Sequence, residues 1–312
     1  MGRRKTALSG QLADMDLRLL RVFKAVVEAG GFSNAEIALN LANSTICNYI
    51  ADLEKRLDMR LCERGRGGFR LTEHGQRVYA ASLELLQAIE QFQNQVNSSH
   101  GQVLGQLSLG MAEHMLGMPR SLMVDTLTRF STSAPAVQVQ ISTMASHDVI
   151  PAVTDGRIKL GITVLHQDAD HLHQVELFEE QMQLYCSKGH PLWNLHEDQL
   201  CVEMLQQYKV VESPRLQPGR EIFPEMQQWN RHGSAYHQEA RAALILTGHY
   251  LGYLPRHLVE SWGWQDQLRP VFTRAFSYTN RYYAVTRAQP EKDPVIRCFL
   301  DCLQAAMATE PE

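Results

Sequence analysis

The chain has 312 residues, of which 44% are hydrophobic and 21% charged, with a formal net charge of −4. That length lets two or three domains bury separate cores, and the absence of any run of roughly 18 apolar residues argues against a transmembrane helix. Six scattered cysteines without CxxC pairs suit a reducing cytoplasm better than a disulfide framework.

Residues 1–14 read as a flexible lead-in. Arg3, Arg4 and Lys5 are followed by no uninterrupted apolar core and no small-residue cleavage site, so they do not form a secretory signal. Leu17, Leu20, Val22, Phe23, Val26 and Val27 then recur at steps of three and four, which predicts a helix with one buried face. Gly30-Gly31 ends it, because glycine tolerates positive φ and weakens helix interiors. Ser33 is the expected N-cap of a second helix carrying Ala35, Ile37, Ala38 and Leu39. Asn40, Asn43 and Ser44 supply turn and capping chemistry before a third helix, which buries Ile46, Ile50, Leu53 and Leu57.

The opposite face of that third helix, near its start, carries Ser44, Thr45, Cys47, Asn48 and Tyr49. Asparagine can contact adenine through two hydrogen bonds, hydroxyls donate or accept, and a helix start favours a phosphate. The bland reading is a solvated polar face on a three-helix bundle. Downstream residues tip the balance: Arg60, Arg64, Arg66 and Arg70 lie around Gly65, Gly67 and Gly68, with Phe69 and Leu71 between. That pattern predicts a hairpin wing whose arginines reach backbone phosphates. Charge is distributed to match. Residues 1–70 hold 12 Lys/Arg against 8 Asp/Glu, and the remainder 18 against 26, a basic head on an acidic body.

From about Glu73 to Asn97 a long helix is predicted, with Val78, Ser82, Leu85, Ile89, Phe92 and Val96 spaced as a heptad seam. Such a seam packs either on its own head or on a second copy; dimerisation is the preferred reading because two heads can then engage two half-sites. Residues 97–101 (NSSHG) form a hinge. Beyond it come a strand at 106–110, a helix at 118–130, a strand at 137–142, a helix at 147–154 and a strand at 160–164. This βαβαβ order predicts a mostly parallel sheet with helices on both faces. A second such unit spans about 176–255.

Residues 15–65, MDLRLLRVFKAVVEAGGFSNAEIALNLANSTICNYIADLEKRLDMRLCERG, and the LTEHG at 71–75 resemble the LysR-type transcriptional regulators, and the likeness extends in order over the chain. Leu53-Glu54, Leu61, Glu63-Arg64, Leu71-Thr72 and Gly75 follow the family pattern. Departures fall at Ala35-Glu36, Ala42-Asn43-Ser44, Cys47, Asp58 and Cys62, several of them on the reading face and so bearing on the operator sequence. GHYLGYLP at 248–255 and CSKGHPL at 186–192 are similar to two family turns. The resemblance implies an α/β fold: a winged helix-turn-helix domain (15–72), a dimerisation linker helix and hinge (73–100), and a two-subdomain effector-binding domain (101–312) like periplasmic solute-binding proteins. The first subdomain would take about 101–165 and 288–312, the second about 166–287, with the chain crossing near Leu165 and returning between Arg269 and Arg287. The last helix, about Pro294 to Met307, would pack back on the first.

The function expected is a cytoplasmic, sequence-specific regulator that binds double-stranded DNA as a homodimer or homotetramer, controlled by a small molecule between the lobes. DNA contacts are assigned to Ser33, Ser44, Thr45, Asn48, Tyr49, Arg64, Arg66 and Arg70. Ligands of such folds bind at strand carboxyl ends, which nominates Glu113 and His114 beside Ala112, Ser146, and Ser213 with Pro214 and Arg215. Ser146 is also where the family places a hydroxyl near a helix start. Hydroxyl and N–H groups there would suit a carboxylate or amino-acid-like metabolite, neutralised by Arg215 or Arg220; Glu113-His114 points to an amine-bearing or polar one. The bland reading of Ser146 is an N-cap.

Neither a metal nor another cofactor is assigned. His166, His171 and His173 cluster near Asp168 and Asp170 but lack structural-site spacing, and Cys298 and Cys302, one turn apart, read as a core face rather than a redox pair. An enzyme is the competing class, yet no GxSxG elbow, P-loop or GxGxxG opening is present, and catalysis would leave the winged head unexplained. A third class is an architectural DNA-binding protein without an effector.

Overall fold

A computed structural model describes residues 12–65, 68–98, 103–112, 122–165, 169, 171–213 and 223–308. The chain divides into two compact units, residues 1–101 with Asp155–Arg157, and the remainder.

In the first unit, helices α1 (Asp14–Glu28), α2 (Phe32–Leu39) and α3 (Asn43–Leu57) enclose a core of Leu19, Phe23, Val26, Ile46, Ile50 and Leu53. Phe23, Val26, Ile46, Ile50 and Leu53 are positions that the spacing placed inside; Leu19 joins them, whereas Leu17, expected on that face, is only half-buried. Three details differ from expectation. The N-cap of α2 is Gly31, at φ 147°, and Ser33 lies inside the helix. A side chain on Gly31 would also meet Phe69 at 3.3 Å, so glycine serves both the backbone angle and the close approach of the wing. Ile37 is 89% exposed, because an eight-residue helix touching its neighbours on one side buries Ala35 and little else. Third, α3 starts one residue before Ser44, capped by the backbone of Ala42 without a side-chain bond. It ends at Asp58 in the left-handed region (φ 52°), a conformation that aspartate tolerates better than most residues.

Strands β1 (Cys62–Gly65) and β2 (Gly68–Leu71) form the antiparallel wing, with Glu63 opposite Arg70 and Arg64 opposite Phe69. Glu54 of α3 holds its root. One carboxylate oxygen accepts from the backbone N–H of Leu61 (2.6 Å) and of Cys62 (3.1 Å). Thr72 closes the other side, its hydroxyl donating to the Arg60 carbonyl and accepting from Gly75 N–H, which caps the next helix. A Cβ on Gly75 would lie 2.1 Å from the Leu61 carbonyl oxygen, so only glycine fits there.

The long helix α4 (Glu73–Ser98) splits its predicted seam. Val78, Tyr79 and Leu85 pack on the head core, with Tyr79 edge-on to Phe23 at 6.3 Å and its phenol pushed up to about 12 by burial. Toward its other end Phe92 and Val96 are 66% and 46% exposed. The packing of the seam on its own head therefore accounts for the first half of α4 only.

The second unit runs β3 (Gly105–Met111), α5 (Leu122–Ser133), β4 (Val137–Thr143), α6 (Ser146–Thr154), β5 (Leu160–Val164), β6 (Leu172–Ser187), β7 (Lys209–Glu212), β8 (Asn230–Ser234), α7 (Gln238–Leu246), β9 (Tyr250–Pro255), α8 (Arg256–Ser261), β10 (Leu268–Val271), β11 (Tyr278–Arg287) and α9 (Pro294–Met307). Its strands form one nine-stranded sheet among the described residues. The order β4-β3-β5 is parallel within one lobe, and β8-β7-β9 is parallel within the other. Between them β11 and β6 run antiparallel to each other and to the flanking β5 and β9. The sheet is thus mixed rather than mostly parallel. Two strands that pass through both lobes pair most directly as a ribbon, and that ribbon is antiparallel.

This also moves the crossing. The start of β6, at Val175, Leu177 and Phe178, packs in the first lobe, while Met182, Leu184 and Cys186 pack in the second. The chain therefore crosses between Phe178 and Met182 rather than near Leu165. It returns within β11, between Tyr278 and Tyr282.

In the first lobe, α5 and α9 cover one sheet face, with Phe130 edge-on to Phe299 at 5.5 Å, and α6 covers the other. The last helix does return to the first lobe, N-capped by Asp293. Cys302 is buried in that core and burial pushes the Cys298 thiol up to about 11, a packing environment rather than a reactive one.

Replacing Glu54 by alanine strips two buried N–H groups of their acceptor at the wing root. We expect a loss of about 2–4 kcal/mol of stability from the orphaned donors, with Glu54→Gln losing less because its amide oxygen still accepts. Chemical denaturation of both variants followed by circular dichroism checks this.

Candidate functional site

Helix α3 is built to expose one polar stripe. Because Ile46, Ile50, Leu53 and Leu57 take the core side, the 3.6-residue repeat turns Ser44, Asn48, Ala51, Asp52 and Lys55 outward, all exposed. Ser44 and Asn48 stand where the sequence put them. Thr45 is half-buried beside them. Cys47 is half-buried too, its thiol donating to Asn43 Oδ1 at 3.1 Å, which ties it to the helix start. Tyr49 is less free than expected: it packs against the head core, and the Arg18 guanidinium lies 5.1 Å above its ring. That contact fixes the ring against α1. Asp52 and Lys55 extend the stripe. Their position could have been found by continuing the helical repeat past Asn48.

Ser33 is exposed on α2 and joins the wing in lining a shallow depression of about 300 Å³ with Gly30, Gly31, Asn34, Gly68 and Phe69. Phe32 and Phe69 meet edge-on at 5.7 Å at its base. Arg70 is exposed on β2, and Arg64 lies in β1 opposite Phe69. Arg66 falls outside the described residues. Near the other end of α3, Arg56 donates to the buried Asp16 at 2.8 Å and locks α3 to α1. This positively charged side chain is therefore occupied in holding the helix at its angle.

In the second unit, the carboxyl ends of β3, β4 and β5 gather in one lobe and those of β7, β8 and β9 in the other. Ser146 opens α6 just past β4. It is half-buried, and its carbonyl accepts from the Thr163 hydroxyl at 2.8 Å, which binds the turn to β5. Ser213 follows β7, also half-buried. Glu113, His114, Pro214, Arg215 and Arg220 lie outside the described residues, as do His166, Asp168 and Asp170. Among the described residues no group of three His, Cys, Asp or Glu side chains is arranged to hold a metal. No described helix is long and apolar enough to cross a membrane.

The ribbon joining the lobes carries polar groups that periodicity alone did not single out. Glu180 of β6 is 6% exposed and accepts from Asn280 Nδ2 at 3.0 Å and from the Tyr282 hydroxyl at 3.5 Å, with His257 Nε2 at 3.9 Å. Burial raises its pKa against these stabilising bonds, favouring the neutral acid. Arg241 of α7 is also buried, donating to the carbonyls of Tyr253 in β9 (3.0 Å) and of Ala235 just past β8 (3.3 Å). Burial lowers its pKa. Trp229 and Tyr253 stack at 6.2 Å, Tyr253 and Tyr278 meet at 5.1 Å, and Trp229 and Phe276 at 5.2 Å. The signal was an arginine inside the apolar run EARAALIL and a glutamate inside a strand.

Comparison with known proteins fits this division. Residues 17–76 match the family model for a bacterial regulatory helix-turn-helix protein of the lysR family, and residues 100–308 match the LysR substrate binding domain. The chain is 36% identical over 304 residues to the HTH-type transcriptional activator BauR of Pseudomonas aeruginosa, covering 97% of this chain and 99% of that protein. It is 31% identical over 182 residues to a probable HTH-type transcriptional regulator, LrrA, of Synechococcus elongatus, covering 57% of this chain and 60% of that one. The fold is shared with full-length CbnR complexed with its target DNA (TM-score 0.60, 20% identity, 93% of this chain and 99% of that). It is shared equally with a full-length OxyR variant from Pseudomonas aeruginosa (TM-score 0.65, 16% identity, 96% of each chain). With a helix-turn-helix head, an effector-binding body and a relative matched almost end to end, this chain belongs to the LysR family of transcription regulators.

Proposed function

We propose that α3 reads base edges in the major groove through Ser44, Thr45 and Asn48, while Ser33 and the wing arginines Arg64, Arg66 and Arg70 grip phosphates. The observation that carries this is the exposed stripe Ser44–Asn48–Asp52–Lys55 on a helix whose opposite side is fully committed to the core. The reading division follows from chemistry: amide and hydroxyl groups discriminate bases, and guanidinium groups neutralise backbone charge without regard to sequence. Tyr49, held under Arg18, plays a supporting part at the edge of the interface.

The protein works in the cytoplasm as a homo-oligomer, with the exposed Phe92 and Val96 end of α4 as the surface that pairs with a second copy. A small molecule binds where the strand ends of the two lobes face each other, near Ser146 and Ser213. It acts by favouring one lobe arrangement over another, which requires unequal affinity for the two. No catalytic step is assigned to the body.

Binding of the full chain to DNA from immediately upstream of its own gene, titrated at several salt concentrations against unrelated DNA, tests the reading. Asn48→Ala is expected to cut discrimination between the two DNAs by about tenfold, the worth of one good base contact, with the salt slope unchanged. Arg70→Ala should weaken both DNAs alike and reduce the salt slope by about one. Unchanged binding in both variants would refute the interface. Light scattering of Phe92→Asp tests the pairing surface: the variant should be monomeric where the parent is not, and an unaltered mass would exclude this end of α4.

A further inference from the structure

Several cations of the head are committed to carboxylates. Lys24 pairs with Glu28 along α1 at 2.8 Å, Arg56 of α3 pairs with Asp16 of α1, and Arg77 pairs with Glu73 at the start of α4 at 2.6 Å. Arg18 is different. It is exposed on α1, and among the described residues no carboxylate pairs with it and no acceptor meets its donors. What holds it is the ring of Tyr49 in α3, with the guanidinium carbon 5.1 Å from the ring centre. A ring covers one face of a guanidinium and leaves the N–H fork at its edge open, so the side chain is aimed without being neutralised.

Its place around α3 gives that aim a direction. Ile46, Ile50, Leu53 and Leu57 form the core-facing row of the helix. At about 100° per residue, Tyr49 lies roughly 70° to one side of that row and Glu54 roughly 70° to the other. The Glu54 side carries the wing, through the N–H groups of Leu61 and Cys62. The Tyr49 side carries α1 and Arg18. On the outside, the exposed Ser44, Asn48 and Lys55 run between the two. A helix in the major groove lies in a channel about 12 Å wide, with a row of phosphates along each rim. The wing stands toward one rim, and α1 stands toward the other.

We infer that Arg18 grips a backbone phosphate on the flank of α3 opposite the wing, and that Tyr49 is the residue that positions it. This rests on the reading of α3 as the helix that enters the groove, and it adds a contact from a different helix. With the wing on one flank and Arg18 on the other, α3 is held across the groove and does not roll about the wing alone. The chemistry fits. A planar fork of donors matches two phosphate oxygens, and a guanidinium already stacked on a ring loses less freedom on binding than a loose one. The assignment also gives Tyr49 a task suited to its place, because a ring packed against the head core supports a neighbour better than it reaches a base edge. Arg21, three residues further along α1, is exposed too, but among the described residues no ring or ion pair ties it to α3. It serves as the control for charge alone.

The test titrates the full chain and its Arg18→Ala, Arg21→Ala, Tyr49→Leu and Tyr49→Phe variants over a range of salt, about 50 to 200 mM. The probes are DNA from immediately upstream of the protein's own gene and an unrelated duplex of equal length. Arg18→Ala should weaken both duplexes alike, by about five- to tenfold, and lower the slope of log affinity against log salt by about one. Tyr49→Leu should lower the slope in the same way, and adding Arg18→Ala to it should cost little more, because the two residues act as one unit. Tyr49→Phe, which returns the ring, should bring the slope back up from its Tyr49→Leu value. Arg21→Ala should leave the slope unchanged. Thermal melting of each variant separates this from a loosened head, which would melt lower and keep its slope. Three results would overturn the assignment: a parent-like slope in Arg18→Ala, an equal fall in Arg21→Ala, or a loss confined to the upstream DNA, which would make Arg18 a base reader. Failure of the parent itself to bind either duplex would fault the groove reading of α3 and take Arg18 with it. Selective binding by the parent with no change in Arg18→Ala faults the Arg18 assignment alone.

Discussion

Two strands, β6 and β11, run through both lobes of the body, and the ribbon they form constrains everything built around it. Each lobe contributes its own parallel block, and among the described residues the blocks are joined by strand pairing only through this ribbon. A break in the register between Tyr282 and Tyr283 leaves Leu177 without an opposite residue, close to where the chain crosses. Bulges of this kind bend and twist a strand locally, and this one adjoins the stretch from Phe178 to Met182 over which the packing changes from one lobe to the other. Relative movement of the lobes has to be expressed as bending of these strands.

The head follows a different logic, in which a few polar side chains set angles rather than stability alone. Asp16 and Arg56 tie α1 to α3, Glu54 ties α3 to the wing, and Thr72 with Gly75 ties the wing to α4. The chain of ties runs from α3 to α4 without a gap. Since α4 packs its first half on the same core, the orientation of α3 is coupled to that of α4. A second copy gripping the exposed end of α4 would therefore set the spacing of two reading helices on a duplex.

Much of this was legible in the residues. The core positions of α1 and α3 and the two-stranded wing follow from steps of three and four, glycine placement and arginine content. The return of α9 to the first lobe was an inference from family resemblance that the packing matches. What escaped has identifiable causes. Ser33 as a cap failed because Gly31 was needed for a backbone angle and for the Phe69 contact. The seam of α4 reads as one heptad pattern interrupted at Ser82, and heptad spacing does not say which partner each turn meets. The mixed sheet was missed because a strand crossing two lobes reads locally like any other. Arg241, Trp229 and Glu180 were missed because their meaning lies in partners brought together from distant segments. The effector-side nominations Glu113, His114 and Arg215, and the wing residue Arg66, fall outside the described residues.

Hydrogen–deuterium exchange of the full chain, with and without DNA from upstream of its own gene, tests the central claim most directly, since it asks which backbone the duplex covers. The account predicts new protection concentrated in residues 43–56 and in the wing at 62–71, with the core of the second lobe unchanged. Protection that left α3 unaffected while appearing across the body would contradict it.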